Sequence, residues 1–406
     1  MTFDKEFFQW IEQYKDVNPD TLRLKYLSGC HKSDWFAIAI TQIEIRKKAR
    51  NKLLISDDKS LLPEIIYPTL ALEQCSSALT ATLHAEILSE AFCNKSIRIA
   101  DLTAGLGIDT LAFARKGHSV TAIEQNNTIT AVNEYNFRNI PSITLINGDC
   151  QDFLNKNFNK FDAIFIDPSR RDNAGNRVYN IHDCTPDVCG LLPLIKNHSD
   201  YLMVKLSPMI DVNVALSELP MTTAVHIVGA EGECKELLLE IDFRRPIYNN
   251  SEDIPIIVDD GQRNRVTFTI RSEKSLSNVI YTIPENGKYL YLPSPSVMKS
   301  GAFRTIAHKY EFYGISHDSH IFISPVFKSD FPGKCYYIEN VVQWSSSSAR
   351  KMAKSSIHAD VTARNFPLTS AQLKAKLKLQ SDSSRHIFAT TDGKGTPVVI
   401  FTHKVY

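Results

Sequence analysis

Four carboxylates punctuate the middle of the sequence where apolar runs end: Asp101, Glu124, Asp149 and Asp167. Asp101 sits within the apolar run 97–102 and leads into the turn Thr103-Ala104-Gly105-Leu106-Gly107. Beyond it, residues 109–116 carry Leu111, Ala112 and Ala114 at helical spacing. A strand, a glycine turn and a helix bring backbone N–H groups and a helix N-terminus against a bound ligand. Glycine lets the backbone come close because it has no Cβ. Glu124 follows Asp101 by 23 residues and ends the next apolar run. A carboxylate there accepts hydrogen bonds from both hydroxyls of a ribose. These residues specify a nucleotide-like ligand. They do not form a dinucleotide fingerprint, because Thr110 stands where the third glycine of G-x-G-x-x-G belongs.

The elements that position these residues alternate. Strands are expected at 97–102, 120–124, 143–146, 161–166 and 201–205, with helices at 128–138, 151–156, 185–197 and 215–219. Apolar runs at 224–228 and 236–243 read as a closing hairpin with seven residues between them. Strands alternating with helices form a doubly wound α/β parallel sheet. In such a sheet ligands bind at the carboxyl ends of strands, so the four acids line one rim. Before the sheet, residues 2–90 read as helices. One spans 35–52, capped by Asp34, with Phe36, Ile40 and Ile43 inward and a basic end at 46–52; another spans 69–92. Residues 73–77 lie just ahead of the first strand, where they either line the site or belong to a merely structural helix. Past the polar, breaker-rich stretch 244–255, a hairpin turns at 259–261, a helix covers 297–310, and short strands follow at 321–323 and 336–338. Helices near 346–355 and at 370–378, then strands at 385–390 and 396–402, complete a smaller α+β module.

The pattern D-x-x-x-G-x-G at Asp101 to Gly107 resembles motif I of class I S-adenosylmethionine (SAM) methyltransferases. Asn147-Gly148-Asp149-Cys150 resembles their adenine-binding station, and Asp167-Pro168-Ser169-Arg170 resembles their motif IV, where an acid followed by proline sits beside the transferred methyl. More narrowly, the chain resembles an uncharacterised bacterial family with a THUMP-like C-terminal domain, through 167–172, 175–179, 232–236, 293–299 and 363–368. The resemblance implies a Rossmann-like methyltransferase sheet and SAM as cofactor, bound by Asp101, Thr103, Ala104, Gly105, Gly107, Glu124, Gln125, Asp149 and Cys150. It implies Asp167, Pro168, Ser169 and Arg170 at the acceptor. THUMP domains accompany RNA modification, so it implies an RNA substrate. The expected domains are a helical region at 1–95, a methyltransferase domain at 96–245, a small linker domain at 255–325 and a basic THUMP-like domain at 326–406.

Amine methyltransferases usually carry a second proline and an aromatic where this chain has Ser169 and Arg170. A flipped purine amine is therefore not a direct match, and Tyr179 is a candidate stacking face against a packing role. Asp-Pro-Ser-Arg is also similar to the Asp-Pro-Pro-Arg of C5-pyrimidine methyltransferases, which need a cysteine thiolate. The matching strand end here, Lys205-Leu206-Ser207-Pro208, has none, and nothing activates Cys184 or Cys234, so a non-covalent mechanism is expected. Arg170 and Arg171 suit a phosphate, or pair with Asp172. Lys205 reaches the same rim with the same two readings.

Composition bounds the rest. With 406 residues, two or three domains are expected. Net charge is +1, so no whole-protein field announces nucleic acid, but from Val341 onward ten Lys and Arg face three Asp, a local +7 suited to an RNA backbone. Eight cysteines without a CxxC pair argue against a disulfide framework or a zinc site. No signal peptide or membrane helix is read, and the expected location is cytoplasmic. Two rival classes stay open: a protein that binds SAM or nucleic acid without catalysis, and a methyltransferase of DNA, protein or a small molecule.

Overall fold

The computed structural model describes residues 5–27, 35–53, 66, 75–157, 159–169, 181–261, 264–355 and 357–405. Two compact units divide the chain: residues 1–206 with 240–246, and residues 207–239 with 247–406.

The first unit opens on helices α1 (Lys5–Tyr14), α2 (Pro19–Leu27) and α3 (Trp35–Leu53), which bury Phe7, Ile11, Leu22, Ala39, Ile40 and Ile43 together. Ile40 and Ile43 are thus the inner face expected of the 35–52 helix; Asp34 lies outside the described residues. Helix α4 (Ala78–Ala91) covers the later part of the helix expected over 69–92; residues 69–74 lie outside the described residues. Ser77 takes the extended backbone of a cap and accepts the Thr80 N–H at 3.1 Å, which stops the helix from reaching further back.

Alternation follows: β1 (Arg98–Asp101), α5 (Ile108–Arg115), β2 (Ser119–Glu124), α6 (Asn127–Phe137), β3 (Ile143–Asn147), α7 (Cys150–Lys156), β4 (Ala163–Ile166), α8 (Val188–His198) and β5 (Tyr201–Leu206). The strands pair in parallel in the order β3-β2-β1-β4-β5. All four residues of β4 are buried, as in a parallel strand covered on both faces. Because the strands share one direction, Asp101, Glu124, Asn147 and Ile166 end at one rim. Residues 240–246 return beside β5, where the Phe243 N–H meets the Asp200 carbonyl at 2.9 Å.

In the second unit, α9 (Val212–Glu218) precedes β6 (Ala224–Ala230), β7 (Glu233–Asp242), β8 (Ile256–Asp259) and β9 (Arg265–Phe268), ordered β7-β6-β8-β9. The expected seven-residue connection between the first two shrinks to Glu231 and Gly232, with φ of 53° and 79°. Paired positive φ is the mark of a two-residue hairpin turn. Then come α10 (Ile270–Ser275), β10 (Tyr289–Pro293), α11 (Pro295–Ser300), α12 (Phe303–Tyr310), β11 (Tyr313–Gly314), β12 (Phe322–Ser324) and β13 (Gly333–Gln343). The helix expected over 297–310 is two, because the chain turns left-handed at Gly301. Helices α13 (Ser346–Ala353) and α14 (Ser370–Leu377) and strands β14 (Asp360–Ala363), β15 (Arg385–Thr391) and β16 (Pro397–Lys404) finish the chain. The sheet order is β11-β12-β10-β13-β16-β15-β14. Alternation along β16 sends Val398 and Ile400 into one core with Leu290, Ile323 and Phe388. Val399 joins the opposite one, with Met352, Leu373 and Leu377 from the two helices. No described helix is long and apolar enough to cross a membrane.

Candidate active site

The turn after β1 is built by its own side chains. Asp101, 1% exposed, accepts the Thr110 hydroxyl at 2.6 Å and the Thr103 N–H at 3.2 Å, tying both ends of the loop to the strand. Gly105 has φ of 52° and Gly107 of 74°, conformations that side chains resist. At Gly107 a Cβ would also lie 2.5 Å from the Phe137 ring. At Gly105, chain neighbours aside, no atom of a described residue comes nearer to the space a Cβ would take than the Thr103 carbonyl at 3.9 Å, leaving a cradle over the backbone. Its carbonyl accepts from Asn133 Nδ2 at 2.7 Å, and the Asn133 Oδ1 atom is buried without a partner among the described residues.

Glu124 ends β2 beside this cradle. Its Oε2 accepts the Gly105 N–H at 2.9 Å and its Oε1 the Asn126 N–H at 2.7 Å. A carboxylate offers about four lone-pair sites, so each oxygen keeps one for a ligand hydroxyl.

A second line of contacts starts at the end of β4. The Asp167 N–H donates to Thr103 Oγ1 at 2.7 Å, joining the Asp-Pro motif to the glycine turn. Lys205, on β5 and 12% exposed at its side chain, reaches Asp167 Oδ2 at 2.5 Å and Ser76 Oγ at 2.9 Å. The Ser76 hydroxyl donates to Asp109 Oδ2 at 2.6 Å, and Asp109 Oδ1 meets Nδ1 of the fully buried His84 at 2.7 Å. One path thus runs Asp167–Lys205–Ser76–Asp109–His84. The two buried acids respond oppositely. Burial, reinforced by the charges of Asp109 and Asp167, pushes the Asp101 carboxyl up to about 7 despite the Thr110 hydroxyl. Burial opposes charge on Asp109 too, but His84, Lys205 and Ser76 outweigh it and hold that carboxyl at about 2.

The structure gathers Asp101, Thr103, Gly105, Gly107, Glu124 and Asp167 through these contacts, with Ala104 in the same loop. Its Ala104 N–H bonds to the Ile123 carbonyl on β2 at 2.9 Å. Pro168 is buried and Ser169 exposed, and the Ser169 backbone bridges Thr185. Arg170, Arg171 and Tyr179 lie outside the described residues, as do residues 73 and 74. Asp149 caps α7: its Oδ1 takes the Gln151 and Asp152 N–H groups at 2.8 and 3.0 Å. Cys150 beneath it is buried and its thiol is raised by burial to about 11; Gln125 is exposed. His84, Asp109 and Thr110 carry no assignment from sequence, whereas Ser76 falls in the stretch 73–77 expected at the site. A lone histidine in the apolar helix α4 and an acid in the first turn of α5 were the available signals.

Comparison with known proteins then bears on this geometry. Residues 289–332 match a family model described as a ferredoxin-like domain, and residues 333–404 one described as THUMP domain-like. The crystal structure of a candidate methyltransferase from Porphyromonas gingivalis W83 aligns over 100% of both chains, with a TM-score of 0.83 and 29% identity. The chain has a class I methyltransferase fold with a THUMP-like C-terminal domain. An 84-residue stretch is 32% identical to an uncharacterised RNA methyltransferase of Mycoplasma mobile, covering 20% of this chain and 23% of that protein. Another, of 82 residues, is 34% identical to ribosomal RNA small subunit methyltransferase J of Francisella philomiragia, covering 18% of this chain and 34% of that protein. The chain spans about a quarter to a third of the length of these two curated relatives.

Proposed function

We propose that this chain is a SAM-dependent methyltransferase that methylates a base in RNA without a covalent enzyme intermediate, in the cytoplasm. The methyltransferase fold and the whole-chain likeness to the Porphyromonas protein support the donor. The residues fit it: the cradle at Gly105 admits a ligand against the backbone, and Glu124 has oxygens directed at that loop with capacity for two hydroxyls. Asp149 retains Oδ2, which makes no bond to a described residue, for an adenine amine. Bound SAM supplies an electrophilic methyl on a sulfonium.

The chain's own residues align the nucleophile with that methyl. Asp167 carries the reading, because it is the motif carboxylate hydrogen-bonded through its backbone to the cofactor loop and ion-paired to Lys205. An ionised carboxylate only accepts hydrogen bonds, so Asp167 orients an N–H of the base. Lys205 fixes the carboxylate and is fixed in turn by Ser76. Burial raises the thiols of Cys150 and Cys234 to about 11, which leaves them protonated near neutrality and favours direct transfer over thiolate addition. The local +7 from Val341 onward, the THUMP-like domain and the names of the two curated relatives support RNA as substrate.

Asp167→Ala abolishes methyl transfer, a loss of about a hundredfold or more, while calorimetry finds SAM affinity within a few fold of wild type. Unchanged turnover removes Asp167 from the mechanism, and a comparable loss of SAM affinity makes it a cofactor residue.

A further inference from the structure

Two stretches that methyl transfer leaves unused, 293–299 and 363–368, meet in the second unit. The first is mostly architecture. Ser294 caps α11, Pro295 opens it, and Ser296 is fully buried where a Cβ on Gly229 would lie 2.8 Å from its hydroxyl. Met298 then faces Arg364 from the second stretch, with its sulfur 3.8 Å from Nη1. The same Nη1 donates to the Ser319 carbonyl at 3.3 Å. Both partners are uncharged, and no carboxylate among the described residues pairs with this guanidinium. Burial alone acts on Arg364, pushing its pKa down.

Around it the backbone is unusual on two sides. Asn365 and His320 both have φ of 49°, a region favoured by glycine. The His320 ring stacks on Phe303 at 3.8 Å, and Asn365 Nδ2 lies 3.4 Å from Ser316 Oγ. Burial, then the charge of Arg364, lowers the His320 pKa, which disfavours a second positive charge beside the guanidinium. A guanidinium has five N–H donors in a planar fork that matches two oxygens of a phosphate. Here one nitrogen is used, by neutral groups. A half-buried cation without a counter-ion is a cost to the fold that an incoming anion offsets.

We infer that Arg364, with Asn365 and Ser316 beside it, binds a phosphate group. That the group is an RNA backbone phosphate rests on the RNA reading above; the phosphate chemistry itself rests on the geometry. Arg364 and Asn365 lie within the segment of net +7, which draws a polyanion toward them.

The test uses the full chain, inorganic phosphate and a fluorescein-labelled 20-nucleotide RNA. Phosphate, against chloride at equal ionic strength, raises the Tm of wild type and not of Arg364→Gln or Arg364→Met. RNA affinity falls roughly tenfold in both variants, and Arg364→Lys, which keeps the charge without the fork, falls between. If wild type answers to phosphate but binds no RNA, the site stands and its phosphate comes from another source. If phosphate raises the Tm of all chains alike, or of none, or if both variants simply lose stability while RNA affinity holds, Arg364 is structural and the inference is overturned.

Discussion

Two of the places where charge is withdrawn from water are built differently. In the first unit every link from Asp167 to His84 is answered: the lysine by a carboxylate and a hydroxyl, Asp109 by a hydroxyl and a histidine. In the second, Arg364 meets a sulfur and a carbonyl. A closed network holds its own members in place, which is what aligning a nucleophile to a methyl group requires. An open one is completed by something from outside. The contrast separates residues that position from residues that capture.

Three experiments act on that contrast. Asp109→Ala has the largest effect, because it strands His84, Ser76 and Lys205 together; urea unfolding records a loss of about 3–5 kcal/mol, as for breaking one side of a buried pair. A loss under about 1 kcal/mol contradicts a closed network. Asp101→Asn probes the loop through pH. The folded carboxyl, raised to about 7, is favoured in its neutral form. Its contribution is therefore complete below about pH 4 and lost as pH rises through 7, on the order of 4 kcal/mol. Wild type sheds that stability relative to Asp101→Asn between pH 4 and 8. Asp109 runs the other way, its contribution being present above about pH 4 and lost as pH falls toward 2. The smallest effect belongs to Arg364→Met, which changes unfolding stability by less than about 0.5 kcal/mol or raises it, since no internal ion pair is lost. A loss comparable to that of Asp109→Ala erases the distinction between the two regions.

Much of the rim was legible because parallel strands obey a simple rule. An acid at the end of each apolar run falls at one edge, and Asp101, Glu124 and Asp167 do so with the loop geometry their glycines imply. The network behind the rim was not legible. Ser76 and Asp109 are 33 residues apart, and His84 and Asp109 are 25 apart, so each contact depends on how α4 packs against α5 rather than on local spacing. Lys205 stands out in the sequence, but its partner Asp167 lies 38 residues away, just past the end of the neighbouring strand. Elsewhere backbone conformation overrode pattern. Glu231 takes a positive φ usually left to asparagine or glycine, hiding a tight hairpin inside what reads as a loop. The helical run across 297–310 continues in its apolar spacing through a break at Gly301.

The central claim is methyl transfer from SAM to RNA at the Asp167–Lys205 pair. Purified chain, SAM carrying a tritiated methyl group, and total RNA from cells lacking this protein form the direct assay. Tritium enters RNA with wild type, and not with Asp167→Ala, in nucleosides whose bases carry the label. Label that stays out of RNA with a SAM-binding wild-type chain, or enters it equally with Asp167→Ala, contradicts the account.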